Sequence, residues 1–199
     1  MSSTVLYMSM SLDGFVAGPN EGPGNGLGDG GERLHEWLFP GDGAAGPSAD
    51  RLHGANRRVY DEFMATGAVV AGRGTFEPAE GWGGDHHDGV PIYILSRHPA
   101  PAWAADWPAV HYVSDLDAAM RDATSAAGDK DVLVHGASIA QRALRAGVLD
   151  EMEITVVPIL LGDGRHLFEQ LGVGPRELER VRVLEGDGGV THLHYRVRA

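Results

Sequence analysis

Ala68-Val69-Val70-Ala71-Gly72-Arg73-Gly74-Thr75 is an unbroken apolar run that ends in two glycines around an arginine. Four apolar residues without alternation fit a strand covered on both faces, the habit of parallel sheets packed between helices. Upstream, residues 50–64 carry Leu52, Asn56, Val59, Tyr60 and Phe63 at spacings that predict an amphipathic helix. Downstream, Ile92-Tyr93-Ile94-Leu95 and Val132-Leu133-Val134 are further buried-strand runs, with residues 110–113 a weaker one. Ser114 and Asp117 form a capping-box pattern that opens a helix through Ala127. Residues 139–146 read as a helix ended by Gly147, residues 4–10 as a first strand and residues 151–157 as a later one.

The C-terminal part changes character. Residues 178–184 and 191–197 flank Gly186-Asp187-Gly188-Gly189, which predicts a hairpin. In its last strand Leu193, Tyr195 and Val197 alternate with His192, His194 and Arg196, so one face is expected to be polar and half-solvated. Strands alternating with helices, followed by an antiparallel pair, predict an α/β fold with a mixed, mostly parallel central sheet and helices on both faces. Residues 1–199 are expected to form a single domain. Such sheets bind ligands at the carboxyl ends of their strands. Residues 14–31 read as a long glycine-rich mobile loop, residues 31–38 as a short helix and residues 40–47 as a flexible connection.

Composition removes several functions. No cysteine is present, so there is no disulfide, thiolate metal site or cysteine nucleophile. A formal net charge of -12 argues against a broad nucleic-acid surface. Lys130 is the only lysine and lies in a polar run, which excludes a Walker A loop and disfavours a Schiff base. No stretch approaches the roughly 18 apolar residues of a membrane span. The start Met1-Ser2-Ser3-Thr4 has no basic segment of the signal-peptide kind, so a cytoplasmic location is expected. The 29 glycines in 199 residues are about twice the average share of about 7%.

Three strand ends carry candidate chemistry. After the Ala68 run, Gly72 and Gly74 allow close approach of a phosphate, the helix start at Thr75 offers free N–H groups, and Arg73 adds a planar fork. After the Ile92 run, Ser96 and Arg97 suit the extra phosphate on the adenosine ribose of NADP. After the Val132 run, Gly136, Ala137, Ser138 and Ile139 form a small-residue turn into a helix, a ready pyrophosphate site. The same turn is one residue from a nucleophile elbow, and Ser138, Asp163 and His192 follow the chain order of an α/β-hydrolase triad. The pairs His86/His87 and His192/His194 are metal-ligand types, but adjacent side chains rarely converge on one ion, and no metal site is expected.

Taken together, these segments resemble the dihydrofolate reductase-like superfamily, and within it the reductase domain of the riboflavin-biosynthesis deaminase-reductase and its stand-alone relatives. Ser9-Met10-Ser11-Leu12-Asp13-Gly14-Phe15 is similar to the family's opening, and residues 69–76 to its second strand and cofactor turn. Residues 94–97 resemble its NADP-phosphate segment. Residues 146–151 followed by Pro158-Ile159-Leu160-Leu161-Gly162-Asp163-Gly164 resemble the signature of the riboflavin branch. The resemblance implies NADPH as cofactor, held by Gly72, Arg73, Thr75, Ser96, Arg97, Gly136, Ala137, Ser138 and Ile139, and a homodimer. Under it Ser138 caps a phosphate-binding helix, and Asp13 is the candidate for substrate contact and proton work. Two departures stand out. The position of the pterin-binding carboxylate falls at Asn56, which argues against folate reduction, and the absence of cysteine leaves no zinc-dependent deaminase half. His135 stands where the riboflavin branch more often has glycine or an acid.

The expected activity is hydride transfer from NADPH to a small polar substrate, pyrimidine- or pterin-like, such as 5-amino-6-(5-phosphoribosylamino)uracil. Glu36 and residues 14–31 are candidates to close over the site. The alternatives are a serine hydrolase using Ser138 and an NADPH-binding protein without turnover.

Overall fold

The computed structural model describes residues 2–22, 24–39, 49–169 and 171–198. In chain order its first half comprises β1 (Thr4–Ser11), β2 (Phe15–Ala17), α1 (Gly54–Met64), β3 (Ala68–Gly72), α2 (Arg73–Phe76), β4 (Ile92–Leu95) and β5 (Val110–Val113). The second half comprises α3 (Leu116–Ala127), β6 (Val132–His135), α4 (Ala137–Ala146), β7 (Glu151–Val157), β8 (Arg165–His166), β9 (Leu178–Glu185) and β10 (Thr191–Val197). Eight strands form one sheet in the order β5-β4-β3-β6-β1-β7-β10-β9. The run from β5 to β7 is parallel, and β10 lies antiparallel between β7 and β9. The mostly parallel mixed sheet with an antiparallel C-terminal hairpin is therefore present as expected.

The central strands are apolar because both their faces are covered. Val69 and Val70 point to opposite sides and both are fully buried. On one side Leu6, Val70 and Val134 pack on Ala123 of α3 and Ala140 and Ala143 of α4. On the other, Val5, Tyr7, Val69 and Leu133 form a second core with Phe76 and, from α1, Phe63. Each fully buried valine or leucine contributes about 1.5–3 kcal/mol relative to exposure. Small alanines on α3 and α4 let these helices lie close to the sheet. That leaves the carboxyl ends of β1, β3 and β6 as the open rim where a ligand fits.

Three local expectations are corrected, and the short helix expected at residues 31–38 is present. The helix predicted from residue 50 starts at Gly54, because His53 is extended and Gly54 adopts φ +52°; Ala49–Arg51 is a separate 3-10 turn. The cap of α3 is Asp115, not Ser114: the Asp115 carboxylate accepts from Ala118 N at 2.9 Å, a reach Ser114 lacks one residue earlier. The glycine-rich stretch 14–31 is built rather than featureless. It contains β2, paired antiparallel with β8, and a turn held by Gly18 N to Leu27 O and Asp29 N to Pro19 O, both 2.8 Å. The predicted helix at residues 31–38 is a 3-10 helix, Gly31–Leu38. The connection predicted at residues 40–47 lies outside the described residues.

The polar face of the hairpin is half-solvated as expected, with Arg196 exposed and His194 half-buried, but it is sealed at His192. His192 is 0% exposed beneath α1; its Nε2–H donates to Asn56 Oδ1 at 3.0 Å, and its Nδ1 accepts from the Thr155 hydroxyl at 2.8 Å. Asn56 Nδ2 donates in turn to Asp187 O at 3.2 Å, tying α1 to the hairpin turn. A buried polar group that loses its partner costs about 1–3 kcal/mol. Asn56→Ala should therefore lower unfolding free energy by about that amount in urea titrations, whereas a truncation on the exposed side of α1 should stay within about 0.5 kcal/mol.

Candidate functional site

Two of the three predicted strand-end motifs meet in space. A Cβ at Gly72 would lie 2.7 Å from Ser138 Oγ, and a Cβ at Gly136 would overlap Thr75 Oγ1. The turn from β3 into α2 and the turn from β6 into α4 are thus in contact, and only glycine fits both approaches. Gly136, at φ +105°, is the N-cap of α4 and offers no side chain to the helix end. The first N–H groups of α4, on Ala137, Ser138 and Ile139, have no intrahelical acceptor. With the helix dipole behind them they make a site for an anion. Ser138 is exposed at the second helical position and does not cap the helix; Gly136 occupies the cap.

The third motif sits one strand further out. β4 pairs with β3 so that Leu95 lies beside Gly72, which brings Ser96 and Arg97 to the same rim. The Ser96 hydroxyl is folded into its own turn, donating to His98 O at 2.8 Å and accepting from His98 N at 2.9 Å. Arg97 is exposed and makes no ion pair among the described residues. Arg73 is differently placed. Its fork grips Glu77, Nε to Oε1 at 2.7 Å and Nη2 to Oε2 at 2.9 Å, and it flanks a side hollow with Trp103 and Trp107. That pairing raises the Arg73 pKa and lowers that of Glu77.

A two-armed cleft opens along this rim. The first arm, about 520 Å3, runs past Gly74, Thr75, Gly136 and Ala137 to Arg165. Arg165 escaped the sequence reading. β8 pairs with β2 and carries it onto the cleft, where Nε donates to Glu21 Oε2 at 2.6 Å. The second arm, about 370 Å3, lies under the 3-10 helix Gly31–Leu38 and α1. The arms join at Met8, His35, Phe39, Trp82 and His135.

Aromatic rings and histidines line the second arm. Trp82 meets His86 edge-on with ring centres 4.5 Å apart, and Phe63 tilts against the same ring at 5.3 Å. His86 Nδ1 lies 2.7 Å from His87 Nδ1, and His87 Nε2 reaches Thr66 O at 3.2 Å. Burial pushes the His86 pKa down to about 2 and that of His135 to about 4, helped by the neighbouring imidazoles; His35 and His87 are also lowered by burial. These rings are neutral at pH 7. Tyr7, Glu153 and Thr155 form the floor, and in register behind Glu153 stand His194 and then Arg182. Arg182 binds Glu62 and donates to Glu153 Oε2 at 2.8 Å. Hydrogen bonding to Glu153 and Glu151 raises the His194 pKa.

Asp13 and the serine triad lie differently from expectation. Asp13 sits in the turn after β1, where Oδ1 accepts from Ser11 Oγ at 2.6 Å and Leu161 N at 3.2 Å, and Oδ2 from Gly162 N at 2.8 Å. Ser11 foremost, then these amides, hold its pKa below the usual value. The carboxylate anchors the loop after β7 and lines neither arm of the cleft. Ser138 is not activated: His192 is buried between Thr155 and Asn56, and the Asp163 carboxylate accepts from Gly164 N at 2.7 Å. Glu36 is exposed and pairs with Arg33 at 3.5 Å. Among the described residues no group of three His, Asp or Glu is arranged to hold a metal ion.

A fluorophosphonate probe should leave Ser138 unlabelled under conditions that label a serine hydrolase fully. The histidines also set an acid limit on stability. Their folded pKa values lie below the unfolded value of 6.5, so as pH falls through 6.5 toward 4 the unfolded chain takes up protons that the fold refuses, and stability drops. His194 acts oppositely, its contribution present below 6.5 and lost as pH rises through its raised pKa. Guanidinium unfolding should therefore weaken from pH 7 to pH 5, and His86→Leu should remove about one proton from that slope, ~1.4 kcal/mol per pH unit.

Residues 3–191 match the RibD C-terminal domain family. A comparison with curated proteins finds no match. Among solved structures, a candidate riboflavin biosynthesis protein of Shewanella sp. PV-4 superposes with a TM-score of 0.72 at 20% identity, covering 99% of each chain. A pyrimidine reductase-like protein of Corynebacterium diphtheriae gives 0.61 at 14% identity, over 100% of this chain and 92% of that one. RibD of Acinetobacter baumannii gives 0.62 at 18% identity, over 100% of this chain and 59% of that one. At these identities the structural likeness is one of fold, and the family rests on the match that runs nearly end to end. The chain belongs to the RibD C-terminal domain family and carries its dihydrofolate reductase-like fold.

Proposed function

We propose that the protein is an NADPH-dependent reductase acting on a small planar heterocycle. One observation carries this reading: the contact of the Gly72–Thr75 and Gly136–Ser138 turns beneath the bare N-terminus of α4. That cradle fits a pyrophosphate, since it offers N–H donors and leaves no room for a Cβ. Gly72, Thr75, Gly136, Ala137, Ser138 and Ile139 would hold the pyrophosphate, with Arg165 across the arm. Ser96 and Arg97 would receive the ribose phosphate, and Arg73, steadied by Glu77, adds positive charge nearby. Family membership and the pyrimidine reductase-like neighbour support a reductase.

A bound dihydronicotinamide supplies a hydride; the chain's own residues bind, orient and keep water away. His135 stands at the junction of the arms, neutral and with Nδ1 unpartnered, suited to hydrogen-bonding a heterocycle beside the cofactor. Trp82 walls the same junction. Asp13 acts here as a positioning residue, holding Leu161 and Gly162 and so the loop that leads to Arg165.

NADPH titration, followed by energy transfer from protein tryptophan to the nicotinamide, should give sub-millimolar affinity and a preference over NADH. Gly136→Ala should abolish binding, because its methyl group would overlap Thr75. Arg97→Ala should cut the NADPH-over-NADH preference about tenfold, or ~1.4 kcal/mol. No binding below a millimolar, or equal affinity for both nucleotides, overturns the proposal.

A further inference from the structure

The second arm has an electrostatic character that restricts what can enter it. Among the described residues no lysine or arginine lines it. The histidines around it are uncharged at neutral pH because burial opposes their protonation. Arg182 is the cation nearest its floor, and Glu62 and Glu153 hold its terminal nitrogens. Glu62 is shared with Arg58 at 3.1 Å, and Glu153 Oε2 also lies 3.0 Å from His194 Nδ1, so each of these cations is already held by a carboxylate.

The unmet hydrogen bonds point the same way. Glu153 is 1% exposed; its Oε2 takes the Arg182 bond, while Oε1 has no partner. A buried carboxyl oxygen without a donor is costly and becomes a good acceptor when a ligand offers an N–H. His35 Nδ1 and His135 Nδ1 are likewise buried and unpartnered. Trp82, Phe63 and Trp37 supply flat apolar walls, and about 370 Å3 falls within the range of small-molecule sites.

We propose that the second arm binds a planar nitrogen heterocycle that presents N–H donors to Glu153 and carries no phosphate. The proposal deepens the reductase reading and rests on it for the placing of the dinucleotide in the first arm. It separates this protein from a reductase of phosphorylated ribosylaminouracils. A phosphate dianion here would face a carboxylate and neutral imidazoles, with no cation to replace its water.

Calorimetric titration of the unmodified protein, with and without NADPH, tests this using 6-hydroxymethylpterin and its monophosphate ester, which differ only in the phosphate. The alcohol should bind at least tenfold more tightly than the ester. Glu153→Gln should weaken the alcohol about tenfold and leave NADPH affinity unchanged, its folding being checked by circular dichroism. An ester that binds as tightly as the alcohol, or no binding of either, overturns the inference. Pterin binding without NADPH binding would instead overturn the reductase reading and leave the heterocycle site standing.

Discussion

Everything at the rim of this sheet depends on two turns that touch. β3 and β6 are neighbours in the sheet, and each passes directly into a helix. Turns so close leave no space for side chains between them, which is why Gly72 faces Ser138 and Gly136 faces Thr75. Alanine at Gly136 would push the two helices apart and would also have to adopt φ +105°, a region that costs an L-residue dearly. The same closeness concentrates free backbone N–H groups in one place. Packing and anion binding here are two results of one steric fact.

The opposite end of the sheet follows a different logic. Strands β7, β10 and β9 place Glu153, His194, Arg182, Thr155 and His192 on the face that α1 covers. Burying such groups is expensive, and a hydrophobic face of the same shape would be at least as stable. The arrangement makes sense as a floor for a polar cleft. Arg182 anchors Glu153 by one oxygen, Glu62 of α1 anchors Arg182, and the other Glu153 oxygen stays available. The helix that seals the core thus also orients, through Arg182, the one carboxyl side chain that lines the second arm among the described residues.

The sheet was legible because its strands are short, apolar and separated by turn residues. The run from Ala68 to Ala71 and the hairpin turn at Gly186 to Gly189 report local environment directly. The turns after β3 and β6 could also be placed, since strand-to-helix turns carry their geometry in small residues. The second arm could not. His35, Trp82 with His86, His135 and Glu153 come from four separate segments, and no spacing announces their meeting. The polar alternation at His192 and His194 was visible, but periodicity cannot distinguish a solvated face from one sealed by Asn56 and Glu62 of a distant helix. Asp13 was misplaced for a related reason. Its position after β1 suggested access to the cleft, while its partners Leu161 and Gly162 lie about 150 residues further along the chain.

An acidic chain with a net charge of -12 looks a poor host for a dinucleotide carrying several phosphates. Net charge, however, acts over distances that salt screens within about 10 Å. Many arginines here are neutralised by adjacent carboxylates: Arg57 by Asp61, Arg58 by Glu62, Arg73 by Glu77 and Arg182 by Glu153. Arg97 has no such partner among the described residues, and it stands at the end of β4 beside the turn pair. Backbone N–H groups add attraction without adding net charge. Beneath the second arm Glu153 and Glu62 hold Arg182, and among the described residues no lysine or arginine lines that arm. The proposed division, phosphates along the first arm and none in the second, therefore rests on two arrangements of partners within a single acidic fold.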